Sequence, residues 1–156
     1  KILQKDNLEQ RLSLWRKSNQ KIVFTNGCFD LLHLGHVDYL AKAKDLGDRL
    51  IVGINSDSSV RRLKGSHRPL QDENSRLHII AALASVDAVI LFDEDTPYEL
   101  IKKVQPDILV KGADYKPQDI VGYDIVSLKG GEVKTIEFVE GYSTTAIENR
   151  ILASRK

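Results

Sequence analysis

Short runs of Val, Ile and Leu recur along the chain, each followed by a longer stretch with apolar positions at helical spacing. The short runs predict strands at Lys21–Phe24, Arg49–Ile54, Ala88–Phe92, Ile108–Lys111 and Glu132–Ile136. The stretches between them predict helices over His36–Leu46, Glu73–Ser85, Pro97–Val104 and Val121–Leu128, with a last helix over Thr145–Ser154. An amphipathic helix over Asn7–Ser18 comes first, with Leu8, Leu12 and Trp15 on one face and an Asp6/Glu9 capping box at its start. Strands this apolar are covered on both faces, which argues for parallel pairing. With helices between them and right-handed crossovers, the expected fold is a doubly wound, Rossmann-like α/β sandwich with a five-stranded parallel sheet and helices on both faces. No repeat, linker or low-complexity segment interrupts the pattern. Residues 1–156 therefore read as one domain, an N-terminal helix over 1–20 and an α/β core over 21–156. The longest stretch without clear periodicity is Ser56–Asp72, and a loop of that length in a compact domain is usually functional or mobile.

The formal net charge of +1 makes no electrostatic case for a nucleic-acid or membrane partner. The longest apolar run falls far short of a membrane span. The polar start at Lys1 lacks the apolar segment of a secretory signal. The single cysteine, Cys28, excludes an internal disulfide and a cysteine-cluster zinc site, and it fits a reducing cytoplasm. The chain starts without methionine, as it would if an upstream segment had been removed.

Ligands of open parallel sheets bind beyond the carboxyl ends of the strands. Just past the predicted strands lie Thr25-Asn26-Gly27-Cys28-Phe29-Asp30, Asn55-Ser56-Asp57, Asp93-Glu94-Asp95, Gly112-Ala113-Asp114 and Gly141-Tyr142-Ser143-Thr144-Thr145. For any one of these loops, ordinary turn chemistry is an equal alternative. His33-Leu34-Gly35-His36 is the sharpest signal. Two histidines three apart at a helix start share one face. Gly35 lets a bulky ligand approach the backbone. Free N–H groups and the helix dipole favour a phosphate there. The alternatives are two solvated histidines or half of a metal site, although no further ligand stands at a recognised spacing.

A second helix start, Thr145 with Glu148 as a capping box, carries the hydroxyls of Ser143 and Thr144 beside it. On its own this segment is more simply a helix cap. Lys64 lies in the basic run Arg61–Arg68, a candidate mobile loop that closes over phosphates, or else a solvated surface. Arg76 stands near a helix N-terminus, an unfavourable place for a cation, and so calls for a ligand or a partner carboxylate. His67 and His78 have no such context, and Cys28 reads as a small packed residue. Neither a Gly-x-x-x-x-Gly-Lys-Ser/Thr loop nor a Gly-x-Gly-x-x-Gly turn is present, which disfavours a P-loop kinase and a dinucleotide dehydrogenase.

Asn26-Gly27-Cys28-Phe29-Asp30 with His33-x-Gly35-His36 and Ser143-Thr144-Thr145 resembles the cytidylyltransferase-like nucleotidyltransferases, over about Lys21 to Ile151. Lys64–Pro69, Asp95-Thr96-Pro97, Val110–Pro117 and Gly130–Val133 resemble the bacterial D-glycero-β-D-manno-heptose 1-phosphate adenylyltransferases within that family. Those enzymes occur alone or as half of a bifunctional kinase/adenylyltransferase, and this chain has no room for the kinase half.

The resemblance implies transfer of AMP from ATP to a phosphorylated sugar, giving ADP-heptose for lipopolysaccharide, with Mg²⁺ carried by the triphosphate and no metal ligand from the protein. It implies that His33 and His36 contact the triphosphate and that Lys64 bridges phosphates of the two substrates. Asn26, Gly27, Cys28, Phe29, Asp30 and Gly35 would belong to the nucleotide site. Gly112 and Asp114 would lie by base and ribose, and Ser143, Thr144 and Thr145 would hold the β- and γ-phosphates. Asp30 and Arg76 would face the sugar phosphate or organise its pocket. A homodimer is common among relatives. Tyr142 departs from the smaller residue often found before Ser-Thr-Thr. The competing readings are a glycerol-3-phosphate cytidylyltransferase using CTP and a non-catalytic nucleotide-binding module.

Overall fold

The computed structural model describes residues 1–155. Six strands form one parallel sheet: β1 (Ile2–Leu3), β2 (Ile22–Gly27), β3 (Arg49–Asn55), β4 (Ala88–Phe92), β5 (Ile108–Gly112) and β6 (Glu132–Ile136), in the order β1-β4-β3-β2-β5-β6. The sixth strand is a correction to the expected five. Ile2–Leu3 is too short to leave a periodic signal, yet it pairs with Val89 and Ile90 and protects the edge of β4. The segment before Lys21 thus adds a strand to the sheet as well as a helix.

The helices are α1 (Lys5–Lys17), α2 (Leu34–Asp45), α3 (Asp57–Lys64), α4 (Glu73–Ala81), α5 (Tyr98–Val104), α6 (Tyr123–Lys129) and α7 (Thr144–Ala153), with a 3₁₀ turn at Pro117–Asp119. Helix α1 buries Leu8, Leu12 and Trp15 as its periodicity predicts. It starts earlier than expected, because the Asn7 side chain accepts from the Gln4 N–H at 2.8 Å, in place of the Asp6/Glu9 box.

Helix α3 is the larger correction, since it occupies half of the stretch expected to be a loop. Ser56 caps it by accepting from the Ser59 N–H at 3.1 Å. Only Ser59 and Val60 are buried on it, so a single apolar residue marks its inner face.

The core has two halves, one on each face of the sheet. Leu8, Leu12, Trp15, Phe24, Leu100, Ile101, Val104 and Leu109 pack on the side of α1, α5 and α6. Val23, Phe29, Tyr39, Leu40, Leu77, Ile80 and Val110 pack on the side of α2 and α4. Alternate residues of each strand go to opposite faces, as Phe24 and Val23 do. The chain runs β2, β3, β4 outward on one side and then returns to place β5 on the other side of β2. This topological switch opens a crevice at the carboxyl ends of β2 and β5.

Candidate active site

A cavity of about 620 Å³ fills that crevice. Its walls come from the loop after β2, the N-termini of α2 and α7, the end of α3 with the segment beyond it, and the end of β5. Asn26, Gly27, Cys28, Phe29, Asp30, His33, Gly35, His36, Lys64, Gly112, Asp114, Ser143, Thr144 and Thr145 all line it.

His33 caps α2 in an extended backbone conformation, which turns its ring back over the first turn. The His33 and His36 rings stack with centroids 3.8 Å apart and planes 25° apart. Gly35 makes this possible, since a Cβ there would come within 2.9 Å of the His33 ring and 3.5 Å of Tyr142. Tyr142, just before the Ser143 cap of α7, thus stands close to Gly35, and the amino ends of α2 and α7 line one cavity. Phe29 sets its ring edge against His36, with centroids 5.2 Å apart. Its φ of +50° bends the chain sharply after β2. A Cβ at Gly27 would meet the Phe29 ring at 2.8 Å, so that glycine makes room for the bend.

Burial depresses the proton affinity of both imidazoles. His36 falls to about 4, through burial first and then the neighbouring His33 and Lys64. At neutral pH both rings are thus neutral donors of one N–H each. Unfolding returns His36 to about 6.5. The unfolded chain then binds the extra proton between those values, so stability from neutral His36 is complete above about pH 6.5 and is lost as pH falls toward 4. His36→Asn is expected to flatten the fall of the thermal midpoint across that window; an undiminished slope would show that His36 does not drive it.

Helix α7 presents a second set of free N–H groups. Ser143 caps it, its hydroxyl accepting from the Ala146 N–H at 3.0 Å. The expected Thr145/Glu148 box does not form: Glu148 pairs instead with Arg68, which also reaches Asp30 at 3.3 Å. Asp30 accepts from the N–H groups of Leu70 (2.8 Å) and Gln71 (2.9 Å). Burial works to raise its pKa, but these donors together with Arg68 outweigh it and hold the carboxyl below its ordinary value. Asp30 thereby fixes the segment after α3 against the cavity.

Lys64 ends α3, so its backbone is helical where a loop was expected. Its side chain is exposed at the cavity mouth, and its charge acts on both His36 and Cys28.

Of the two roles expected for Arg76, facing the sugar phosphate or organising its pocket, the packing fits the second, with Asp57 as the partner carboxylate. Arg76 is fully buried and lies outside the cavity wall. Its guanidinium donates to the carbonyls of Gln71 (2.9 Å), Cys28 (2.8 Å) and Asn55 (2.7 Å), and to Asp57 at 2.8 Å. Each of its three nitrogens donates to the protein, so it organises the floor of the site.

Residues that sequence reasoning passed over also line the cavity: Tyr39, His67, Arg68, Lys111, Tyr115, Phe138 and Glu148. Lys111 closes the predicted strand Ile108–Lys111 and Tyr115 stands just past it, so both carried a usable signal. Phe138 carried none. Its ring sits where a Cβ of Gly112 would be, only 2.1 Å away, which explains the glycine. Among the described residues no cluster of three or more His, Cys, Asp or Glu is arranged to hold a metal ion.

The profile of the cytidylyltransferase-like family matches residues 24–150. The chain belongs to the cytidylyltransferase-like family. Among individual relatives of this cytidylyltransferase-like chain, the bifunctional protein HldE of Syntrophotalea carbinolica is 56% identical over 97% of the chain and 31% of its own length. The HldE of Nitratiruptor sp. is 62% identical over 86% of the chain and 28% of its own length. The chain spans about a third of the length of these curated relatives. A lipopolysaccharide core biosynthesis protein from Thermoplasma volcanium superposes with a TM-score of 0.63 at 36% identity, over 80% of this chain and 99% of that one. The pantoate-β-alanine ligase of Francisella tularensis, complexed with β,γ-ATP and β-alanine, shares the fold at a TM-score of 0.61 and 19% identity, over 99% of this chain and 79% of that one. No described helix is long and apolar enough to cross a membrane.

Proposed function

We propose that the chain, as a single nucleotidyltransferase domain, transfers AMP from ATP to D-glycero-β-D-manno-heptose 1-phosphate and releases pyrophosphate. The observation that carries this reading is the stacked His33/His36 pair at one helix N-terminus, meeting a second helix N-terminus in one cavity. Such an arrangement suits a polyphosphate better than a neutral ligand. The relatives named HldE and the lipopolysaccharide core biosynthesis protein support the heptose assignment.

An oxygen of the sugar phosphate attacks the α-phosphorus in line; the bond from that phosphorus to the bridging oxygen breaks, and pyrophosphate leaves. A phosphate's second pKa is about 6, so the nucleophile is already anionic and no general base is required. The task is to hold two polyanions together and to stabilise charge on the leaving group. His33 and His36 donate N–H bonds to phosphate oxygens, Lys64 bridges the two substrates, and Ser143–Thr145 with the α7 amino end hold the β- and γ-phosphates. Gly112 and Asp114 lie by base and ribose. Mg²⁺ enters as part of the nucleotide substrate. The reading includes a cytoplasmic setting and a homodimer.

Pyrophosphate release from ATP and CTP, each with heptose 1-phosphate and glycerol 3-phosphate, tests the proposal. Turnover should be fastest for ATP with the heptose; a preference for CTP with glycerol 3-phosphate would replace it. Nucleotide binding without pyrophosphate from any pair would mean a binding module. Lys64→Ala should lower the rate about tenfold to a hundredfold, the worth of a hydrogen bond between charged groups, while ATP affinity is partly kept. Unchanged kinetics would return Lys64 to the solvated surface.

A further inference from the structure

Lys111 is unassigned by this mechanism. It is the penultimate residue of β5, is partly buried, and lines the cavity. Its ammonium lies 5.8 Å from the Tyr115 ring centroid. None of the ion pairs among the described residues includes it. Burial lowers its pKa, and the nearby Cys28 and Asp114 only partly offset this. A lysine held like this without a carboxylate partner is stabilised by an anionic ligand.

The cavity's charge balance points the same way. Arg68 is already paired with Asp30 and Glu148, and both imidazoles are neutral near pH 7. Lys64 and Lys111 are therefore the two cations facing the cavity that no carboxylate pairs with. Two substrates that each carry phosphate must share them.

Position separates Lys111 from the histidine pair. Phe24 and Leu109 pack on the α1 face of the sheet, whereas Val23 and Val110 pack on the α2 face. Strand alternation sends Asn26 and Lys111 to the same face as Phe24 and Leu109. Phe24 and Leu109 are the last register partners of β2 and β5, and extending that parallel register by two residues sets Asn26 opposite Lys111. The Asn26 side-chain oxygen is buried and has no hydrogen-bond partner. The histidine pair, in contrast, rises from α2 beside Phe29, on the other face. The cavity spans both faces at the sheet edge, with its anion-binding helix ends on one side and this lysine–asparagine pair on the other.

We propose that Lys111 and Asn26 form the acceptor subsite, Lys111 holding the phosphate of the incoming phosphorylated sugar and the Asn26 oxygen accepting from one of its hydroxyls. This deepens the adenylyltransferase reading and rests on it. The nucleotide triphosphate stays with the histidines and α7, and the acceptor's phosphate enters from the opposite face.

The test compares wild type with Lys111→Met and Lys111→Arg. Calorimetry with α,β-methylene-ATP, whose bridging carbon blocks transfer, reads nucleotide affinity. Heptose 1-phosphate is then titrated into the analogue-saturated protein, and KM and kcat are measured with ATP. Lys111→Met should raise the acceptor Kd and KM about tenfold to a hundredfold, with analogue affinity within about twofold. Lys111→Arg should recover part of the loss. Analogue affinity falling as far as acceptor affinity, or an unchanged acceptor KM, would overturn the subsite. Should wild type transfer nothing to the sugar phosphate, the adenylyltransferase reading fails separately. Titration of inorganic phosphate into the analogue-saturated protein still decides Lys111: loss in Lys111→Met supports an anion subsite, and undiminished binding refutes it.

Discussion

Replacing His36 by alanine is expected to slow pyrophosphate release about a hundred- to a thousandfold, the cost of removing one donor aimed at developing charge. His33→Ala should fall in the same range. The two rings stack at 3.8 Å, so each positions the other, and the double variant should lose less than the product of the single losses. The effect belongs to the rate. In the ground state the triphosphate keeps its contacts to the amino ends of α2 and α7, so ATP affinity should fall much less than kcat. The fold should persist, because neither ring makes a core contact that α2 depends on: the helix is anchored by Tyr39, Leu40 and Ala43. Steady-state pyrophosphate assays beside nucleotide calorimetry and thermal unfolding separate these quantities. Near-normal turnover in either single variant would remove that histidine from the chemistry.

Arg76→Ala should destabilise the protein by about 3–5 kcal/mol, the range for breaking a buried ion pair by removing one partner. The loss leaves the carbonyls of Gln71, Cys28 and Asn55 without their donor and opens a cavity at a site with no exposure. For a domain of this size the thermal midpoint should drop on the order of 10 °C. Arg76→Lys should recover only part of it, since one ammonium cannot reproduce the planar fork that serves three carbonyls and Asp57 at once. Activity measured well below the midpoint should also decline, through loosening of the Cys28 backbone at the cavity floor. An unchanged midpoint would refute the assigned role, and a selective rise in acceptor KM with normal stability would restore Arg76 as a substrate contact.

Most of the architecture could be read from local pattern. The strand at Ala88–Phe92 falls where its apolar run stands, Glu132–Ile136 falls where its alternating Val133 and Thr135 place it, and the other predicted strands end within three residues of expectation. Burial on both faces makes such strands conspicuous. Two elements with little apolar burial escaped. Ile2–Leu3 is stabilised by an edge pairing with residues far along the chain, and α3 shows one apolar residue inward. Helix caps were misread for a related reason: Thr145/Glu148 has the right spacing, but Glu148 finds a stronger partner in Arg68, which no local window contains.

The candidate site divides along the same line. Residue order alone put His33, Gly35 and His36 at a helix start, and put Asn26–Asp30, Gly112–Asp114 and Ser143–Thr145 just past strand ends. Those placements need only short-range preferences and the rule that parallel sheets bind ligands at their carboxyl edge. Tertiary packing decided that Arg76 turns its guanidinium to three backbone carbonyls and to Asp57, that Lys64 sits on a helix, and that Lys111 lines the cavity without joining any ion pair among the described residues. Charge partners are chosen by proximity in space, across sequence separations as large as the 80 residues from Arg68 to Glu148. Local sequence determines which groups are available, whereas long-range packing settles which of them remain free to meet a ligand.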